Sequence, residues 1–128
     1  MAVFCGTDII SVERIKNSII ELGETFLKRI YTDEEISYCE SRRMSKFQSY
    51  AARFAAKEAA YKALAPETAK NVSWHDAEVI RKENGKPIVV FHGRLEEIMK
   101  EKGIKQENVD LSLSHDDAYA IATIVINN

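Results

Sequence analysis

The sequence has no run approaching the roughly 20 consecutive apolar residues that a membrane-spanning helix requires. Its first residues, Ala2, Val3, Phe4 and Cys5 ahead of Gly6-Thr7-Asp8, carry no basic region and too short an apolar run for a secretory signal. A soluble, cytoplasmic protein is expected. Cysteine is scarce: Cys5 and Cys39 have neither CxxC spacing nor histidine neighbours, which argues against a disulfide framework or a zinc site and for two ordinary thiols. Net charge is nearly absent too, with 18 basic residues against 20 acidic ones giving −2. No global attraction to nucleic acid is expected, and any polyanion site must be local. With 2 prolines, 5 glycines and no linker, repeat or low-complexity tract, the 128 residues read as one domain. A chain of that size buries about two-thirds of the surface its unfolded form exposes.

What the chain does have is alanine, concentrated in the helical stretch Arg53-Phe-Ala-Ala-Lys-Glu-Ala-Ala-Tyr-Lys-Ala-Leu64. Ala52, Ala55, Ala56, Ala59, Ala60 and Ala63 recur at three- and four-residue steps, giving one smooth face that lets the helix axis approach a sheet closely. Phe54, Glu58 and Lys62 stack along a neighbouring ridge, and Arg53, Lys57 and Tyr61 along the next. Two readings compete for Glu58 and Lys62. One is an i, i+4 ion pair worth roughly 0.2–0.5 kcal/mol. The other is a carboxylate for a hard cation beside a phosphate-binding ammonium, which needs a second carboxylate from elsewhere.

Residues from Val3 to Ile10 read as a buried first strand interrupted by Gly6 and Asp8. A carboxylate there has to be hydrogen-bonded, paired or metal-bound, so Asp8 is either a cap or a ligand. Ser11 caps a helix running to about Leu22, with Val12, Ile15, Ile19 and Leu22 on one face and Gly23 ending it. Thr32 and Glu35 form a capping box that opens a helix to about Arg42. Ser45 and Gln48 repeat the spacing ahead of the alanine-rich helix, which Pro66 closes. Beyond Pro66 the pattern changes to strands: Trp74 to Lys82 and Pro87 to His92 join through the hairpin signal Asn84-Gly85. The segment Asn84-Gly85-Lys86-Pro87 is a simple turn or a backbone cradle for a phosphate or an adenine edge. Arg94 to Lys102 is a short helix with Leu95, Ile98 and Met99 inward. Val109 to His115 alternates, Asp116-Asp117 turns, and Ala118 to Ile126 returns as a buried strand. His115 ends the apolar face as either a structural group or a ligand. Helices early and hairpins late give an α+β fold in which the long helix covers an antiparallel sheet.

The order of these pieces resembles the holo-acyl-carrier-protein synthases, the short stand-alone class of 4′-phosphopantetheinyl transferase. The resemblance rests on Gly6-Thr-Asp8-Ile9 with Glu13-Arg14-Ile15, on Thr32 to Glu35, on Arg53-Phe-Ala-Ala-Lys-Glu58 with Lys62-Ala63, on Asn84-Gly85-Lys86-Pro87, and on Ser112-Leu-Ser114-His115 with Tyr119-Ala120. It spans nearly the whole chain. Phe4 stands where the family usually has a glycine, Ser11 where an acid is common, and residues 65–73 have no strong match.

The resemblance implies transfer of the phosphopantetheine arm of coenzyme A to a serine of apo-acyl carrier protein, a step in fatty acid biosynthesis that releases adenosine 3′,5′-bisphosphate. It implies Asp8 and Glu58 as Mg²⁺ ligands, Lys62 as a catalytic phosphate or transition-state partner, and Arg53, Phe54, Asn84, Gly85, Lys86, Pro87, Ser114 and His115 as the coenzyme A cradle. His115 is expected to meet the 3′-phosphate. No general base is assigned among a metal-bound water, Glu35 and other carboxylates. The resemblance further implies a homotrimer with sites between subunits, and docking of the acidic carrier protein near Arg14, with Lys16, Lys28 and Arg29 added from charge alone. Two rivals share the same residues: another Mg²⁺-dependent phosphoryl or nucleotidyl transferase, and a non-catalytic coenzyme A-binding protein.

Overall fold

Alanine decides where the sheet sits. The computed structural model describes residues 1–128, and its longest helix, α4 (Lys46–Leu64), packs its alanine face on a three-stranded antiparallel sheet. That sheet consists of β1 (Val3–Ser11), β4 (Val109–His115) and β5 (Tyr119–Asn127), with β5 in the centre. A β-carbon on Gly6 would overlap the Ala59 carbonyl and crowd the Ala63 nitrogen, so β1 meets the helix backbone to backbone. Ala120, Ala122, Ile124 and Ile126 of β5 are fully buried beneath α4. Ala122, Ile124 and Ile126 join Ala55, Ala59 and Leu64 in the main core, while Ala120 belongs to a second cluster with Val12, Ile15 and Ala52.

Around this pair the local signals place the rest. Ser11 caps α1 (Val12–Leu22) by accepting from the Arg14 amide, and Gly23, at φ 60, separates it from α2 (Glu24–Ile30). The Thr32–Glu35 capping box is complete and opens α3 (Asp33–Ser41). Ala65 closes α4 in the left-handed region at φ 45. A separate hairpin, β2 (Ala77–Arg81) and β3 (Pro87–Phe91), leads to α5 (Gly93–Glu101), which buries Leu95, Ile98 and Met99. Lys82 donates to the Lys86 carbonyl and Gly85, at φ 87, donates to the Lys82 carbonyl. The tip is therefore a three-residue loop ending in a left-handed glycine.

Several expectations need correction. The first strand is an edge strand with one covered face, and Val3 and Ile9 are 67% and 57% exposed. The return strand is likewise buried on one side only, since Tyr119, Ile121 and Val125 face outward. Leu22 lies in the open at the end of α1, which overhangs its packing partner. Ser45 does not cap α4: its hydroxyl donates backward to the Arg42 carbonyl, and the helix grows directly out of a 3₁₀ turn at Arg43–Ser45. Trp74 belongs to a second 3₁₀ turn, Trp74–Asp76, opened by a Ser73–Asp76 capping box. No helix is long and apolar enough to cross a membrane.

Both cysteines are unpaired. Cys39 is buried, which pushes its thiol up to about 12.

Candidate active site

Backbone contact at Gly6 carries Asp8, two residues further along β1, up to the side of α4 that presents Glu58. Both acids line one cleft of about 430 Å³, together with Ile10, Arg14, Ile15 and Phe54. Lys62, one turn beyond Glu58, reaches across to β1: its ammonium donates to Asp8 Oδ1 and to the Thr7 carbonyl, each at 3.0 Å. Burial raises the pKa of Glu58 above the ordinary carboxylate value, and the charge of Asp8 raises it further, against a lesser opposing pull from Lys62. Two hard oxygen donors that feel one another's charge are a fit for a divalent cation, which would relieve the repulsion. The cleft thus holds two carboxylates, a guanidinium and an aromatic wall, with the Lys62 ammonium reaching Asp8 from beside it.

A second group forms on the opposite flank of α4. Arg53 is 2% exposed, its guanidinium lies 4.2 Å from the centre of the Tyr38 ring, and its Nε is the one buried side-chain polar atom without a partner. Arg81 approaches the same ring at 5.0 Å and donates to the Gly85 carbonyl. Arg53 is therefore connected to the Asn84-Gly85 loop through Tyr38 and Arg81. Asn84 Oδ1 accepts from the Lys86 amide, and Lys86 Nζ sits 2.8 Å from Asp110. That contact anchors the loop at the start of β4.

Ser114 and His115 stand at the other end of β4, ~13 Å and ~17 Å along the strand from Asp110 at the usual rise. His115 pairs with Ala120, which pairs with Ile10, so two strand spacings of ~4.8 Å separate it from β1. Within one chain, then, Asp8, Phe54, Glu58 and Lys62 come together. Arg53 and Asn84 to Pro87 form a different group, and Ser114 and His115 a third.

Comparison with known proteins decides the family. The model of the 4′-phosphopantetheinyl transferase superfamily matches residues 4–124. The chain belongs to that superfamily. A holo-[acyl-carrier-protein] synthase from Koribacter versatilis (strain Ellin345) is 42% identical over 128 residues, the full length of both chains. One from Ruminiclostridium cellulolyticum is 44% identical over 127 residues, covering 99% of this chain and 93% of that protein. Among solved structures, Helicobacter pylori holo-[acyl-carrier-protein] synthase in complex with coenzyme A superposes with TM-score 0.81 at 31% identity, covering 96% of this chain and 99% of that one. The Neisseria meningitidis synthase gives TM-score 0.84 at 31% identity, with 98% of each chain covered.

Within this superfamily member, sequence reasoning missed the support behind the cleft. Lys57 and Glu35 form an ion pair at 2.8 Å with side chains 1% and 0% exposed. Lys57 also donates to the Trp74 and Ala77 carbonyls, while Glu35 accepts from the Thr32 and Val79 amides. Burial lowers the pKa of Lys57 and the neighbouring Glu35 opposes that shift. With both carboxylate oxygens engaged and no solvent access, Glu35 has no path to a substrate proton, which removes it from the possible bases. By holding the Trp74 backbone, Lys57 helps seat an indole that stacks on Phe54, ring centres 5.0 Å apart and planes at 29°. The only local sign of this was Lys57 sitting on a ridge with Arg53 and Tyr61, and ridge position says nothing about a partner 22 residues earlier.

Proposed function

We propose that this protein transfers the 4′-phosphopantetheine group of coenzyme A to a serine hydroxyl of apo-acyl carrier protein, leaving adenosine 3′,5′-bisphosphate. The observation that carries the reading is the cleft shared by Asp8 and Glu58, with Lys62 bonded to Asp8, in a chain 42% identical along its full length to a protein named for this activity. In the reaction the serine oxygen bonds to the phosphorus that bears the pantetheine arm and gives up its proton to solvent, the bridging P–O bond breaks, and the bisphosphate departs with the electron pair. Negative charge grows on the leaving oxygen, so the groups that matter are those that position and neutralise. Lys62, half exposed beside Asp8, is placed to meet a phosphate oxygen. Asp8 and Glu58 are the residues that would hold Mg²⁺, a small cation usually bound by one or two carboxylates with substrate phosphates and waters. When bound, it supplies charge neutralisation at the pyrophosphate.

The remaining residues suit the two substrates. Arg53 has an unpartnered buried Nε that an anion could satisfy, but at 2% exposure it must first come out from under the Tyr38 ring. It would join Asn84, Gly85, Lys86 and Pro87 around the nucleotide end of coenzyme A, with Ser114 and His115 contributing from the end of β4. Arg14 lines the acidic cleft and offers the acidic carrier protein a cation beside the point of transfer; Lys16, Lys28 and Arg29, chosen on charge alone, would add to it. We place the reaction in the cytoplasm, where unpaired thiols such as Cys5 and Cys39 persist.

The separation of these groups within one chain favours a site completed by another copy. The outer face of the sheet offers a place for it. Cys5 pairs with Val125 and Ile9 with Ile121, and with Val3 and Tyr119 they form an apolar surface with no cover. Apolar surface of that kind, interrupted by the hydrogen-bonded Thr7–Thr123 pair, suits association, and a homotrimer would close it around an axis. The deciding experiment for the function is incubation with coenzyme A, Mg²⁺ and an apo-carrier protein, followed by intact-mass measurement. A gain of one phosphopantetheine is expected; an unchanged carrier in the presence of folded protein would sink the proposal.

A further inference from the structure

A buried cation normally has an acid beside it, because a charge taken out of water without a partner is costly. Lys57 follows that rule, with Glu35 at 2.8 Å. Arg53, one turn earlier on α4 and 2% exposed, does not. It enters no ion pair within 4.0 Å, and its Nε has no hydrogen bond. What its guanidinium does have is the Tyr38 ring, 4.2 Å from the ring centre.

Tyr38 comes from α3 and is half-buried against the cluster that contains Val12, Tyr31 and Tyr50. Arg81 and Arg42 approach the same ring at 5.0 Å and 5.8 Å, but both are exposed residues. The negative face of an aromatic ring attracts a cation, and more strongly where water is excluded. Arg53 is the closest of the three and the only buried one, so the ring holds it best. A ring face is nevertheless a weaker partner than a phosphate, which adds charge-assisted hydrogen bonds. The guanidinium is therefore held in place but left with an open donor.

We propose that Tyr38 is a positioning residue that acts through Arg53: its ring holds the guanidinium inside the ligand-free protein and yields it to an anionic group of the bound nucleotide. This rests on the transferase reading and adds to it a release cost, set by the ring, that lowers nucleotide affinity. Arg81, bonded to the Gly85 carbonyl, keeps the Asn84-Gly85 loop in place while Arg53 moves. Because Arg53 would grip the nucleotide alike before and during transfer, the cost falls on the KM for coenzyme A and not on kcat.

The proposal is tested by changing the electron density of the ring while keeping its shape. Tyr38→Phe retains the negative face, whereas Tyr38→pentafluorophenylalanine removes it at nearly the same size. The KM for coenzyme A and the calorimetric Kd for adenosine 3′,5′-bisphosphate should stay within about twofold of wild type in Tyr38→Phe. Both should fall about threefold or more with the fluorinated ring, at unchanged kcat. In an Arg53→Gln background the two rings should give equal values. A packing role alone would not separate rings of one shape. Tyr38→Leu, which removes the ring by ordinary substitution, should shift both constants in the same direction as the fluorinated ring, so the proposal stays open to refutation if the fluorinated protein misfolds. Equal constants for the two rings, weaker binding without the negative face, or a difference that persists without Arg53 overturns the proposal. A wild-type protein that binds no bisphosphate and modifies no carrier protein overturns the transferase reading itself, a result distinct from failure of the Tyr38 role.

Discussion

Lys62 pairs across the helix–strand contact with Asp8, at 3.0 Å, and not with Glu58 one turn back on its own helix. The ammonium is thereby held against β1, and Glu58 is left carrying a charge that burial and Asp8 both oppose. Asp8→Asn and Glu58→Gln should each lower carrier-protein modification by roughly 10²–10³-fold, the range seen when one preorganised electrostatic contact is deleted. Chelation of divalent ions should abolish turnover reversibly. Mass-spectrometric rates for the two variants check this, and wild-type rates in either would free that residue of the role.

Glu58 also links function to stability. Its folded-state pKa lies above the ordinary 4.5, so between those two values the folded protein holds more proton than the unfolded chain. Stability therefore falls as pH rises through that window, and the penalty persists above it. Glu58→Gln should raise the melting temperature at pH 7 by an amount on the order of a few degrees, with the difference fading toward pH 4. A lower melting temperature at pH 7 would contradict the pKa direction.

The buried Lys57–Glu35 pair makes a different demand. Removing one partner leaves an uncompensated charge, and Lys57→Met should cost about 3–5 kcal/mol in urea unfolding. Adding Glu35→Gln should recover part of the loss, because the charge disappears while an amide oxygen still accepts from the backbone. No recovery in the double variant would show that the ammonium's own hydrogen bonds, and not the stranded carboxylate, set the cost.

These cases show which parts of the molecule the sequence makes legible. Signals that act within a few residues were readable: Ser11, Gly23, the Thr32–Glu35 box and the α5 apolar face all stand where their chemistry puts them. Ser45 failed because a hydroxyl can bond backward as well as forward, and nothing local says which. Apolar, β-branched runs identified β1 and β5, but whether one or two faces are covered depends on what packs outside. The meeting of Asp8 with Glu58 was accessible through family resemblance alone, since it depends on a strand and a helix 50 residues apart touching at Gly6. The pairing of Glu35 with Lys57 had no signal, because Glu35 already had a sufficient local job.

Gly6 itself can be tested simply. A methyl group there would overlap the Ala59 carbonyl, a backbone atom that cannot swing aside. Gly6→Ala should destabilise by about 3 kcal/mol or more, beyond ordinary overpacking, and should depress activity by displacing Asp8. A fully stable and active Gly6→Ala protein would show that β1 and α4 can separate without harm.

The outer sheet face yields a prediction about assembly. Ile9 and Ile121 are cross-strand partners, 57% and 40% exposed, so a carboxylate at either costs the lone chain little and an apolar interface a great deal. Ile9→Asp and Ile121→Asp should sediment as monomers with more than about tenfold lower transfer activity. Trimeric, active variants would direct the search for the interface to another surface.

Glu35 closes the first turn of α3 while also gripping β2 at Val79 and α4 at Lys57. One carboxylate is thus common to helix initiation and hairpin docking. Neither can let go without stranding the other's donors in a water-free interior, so the two regions open and close as a single cooperative unit.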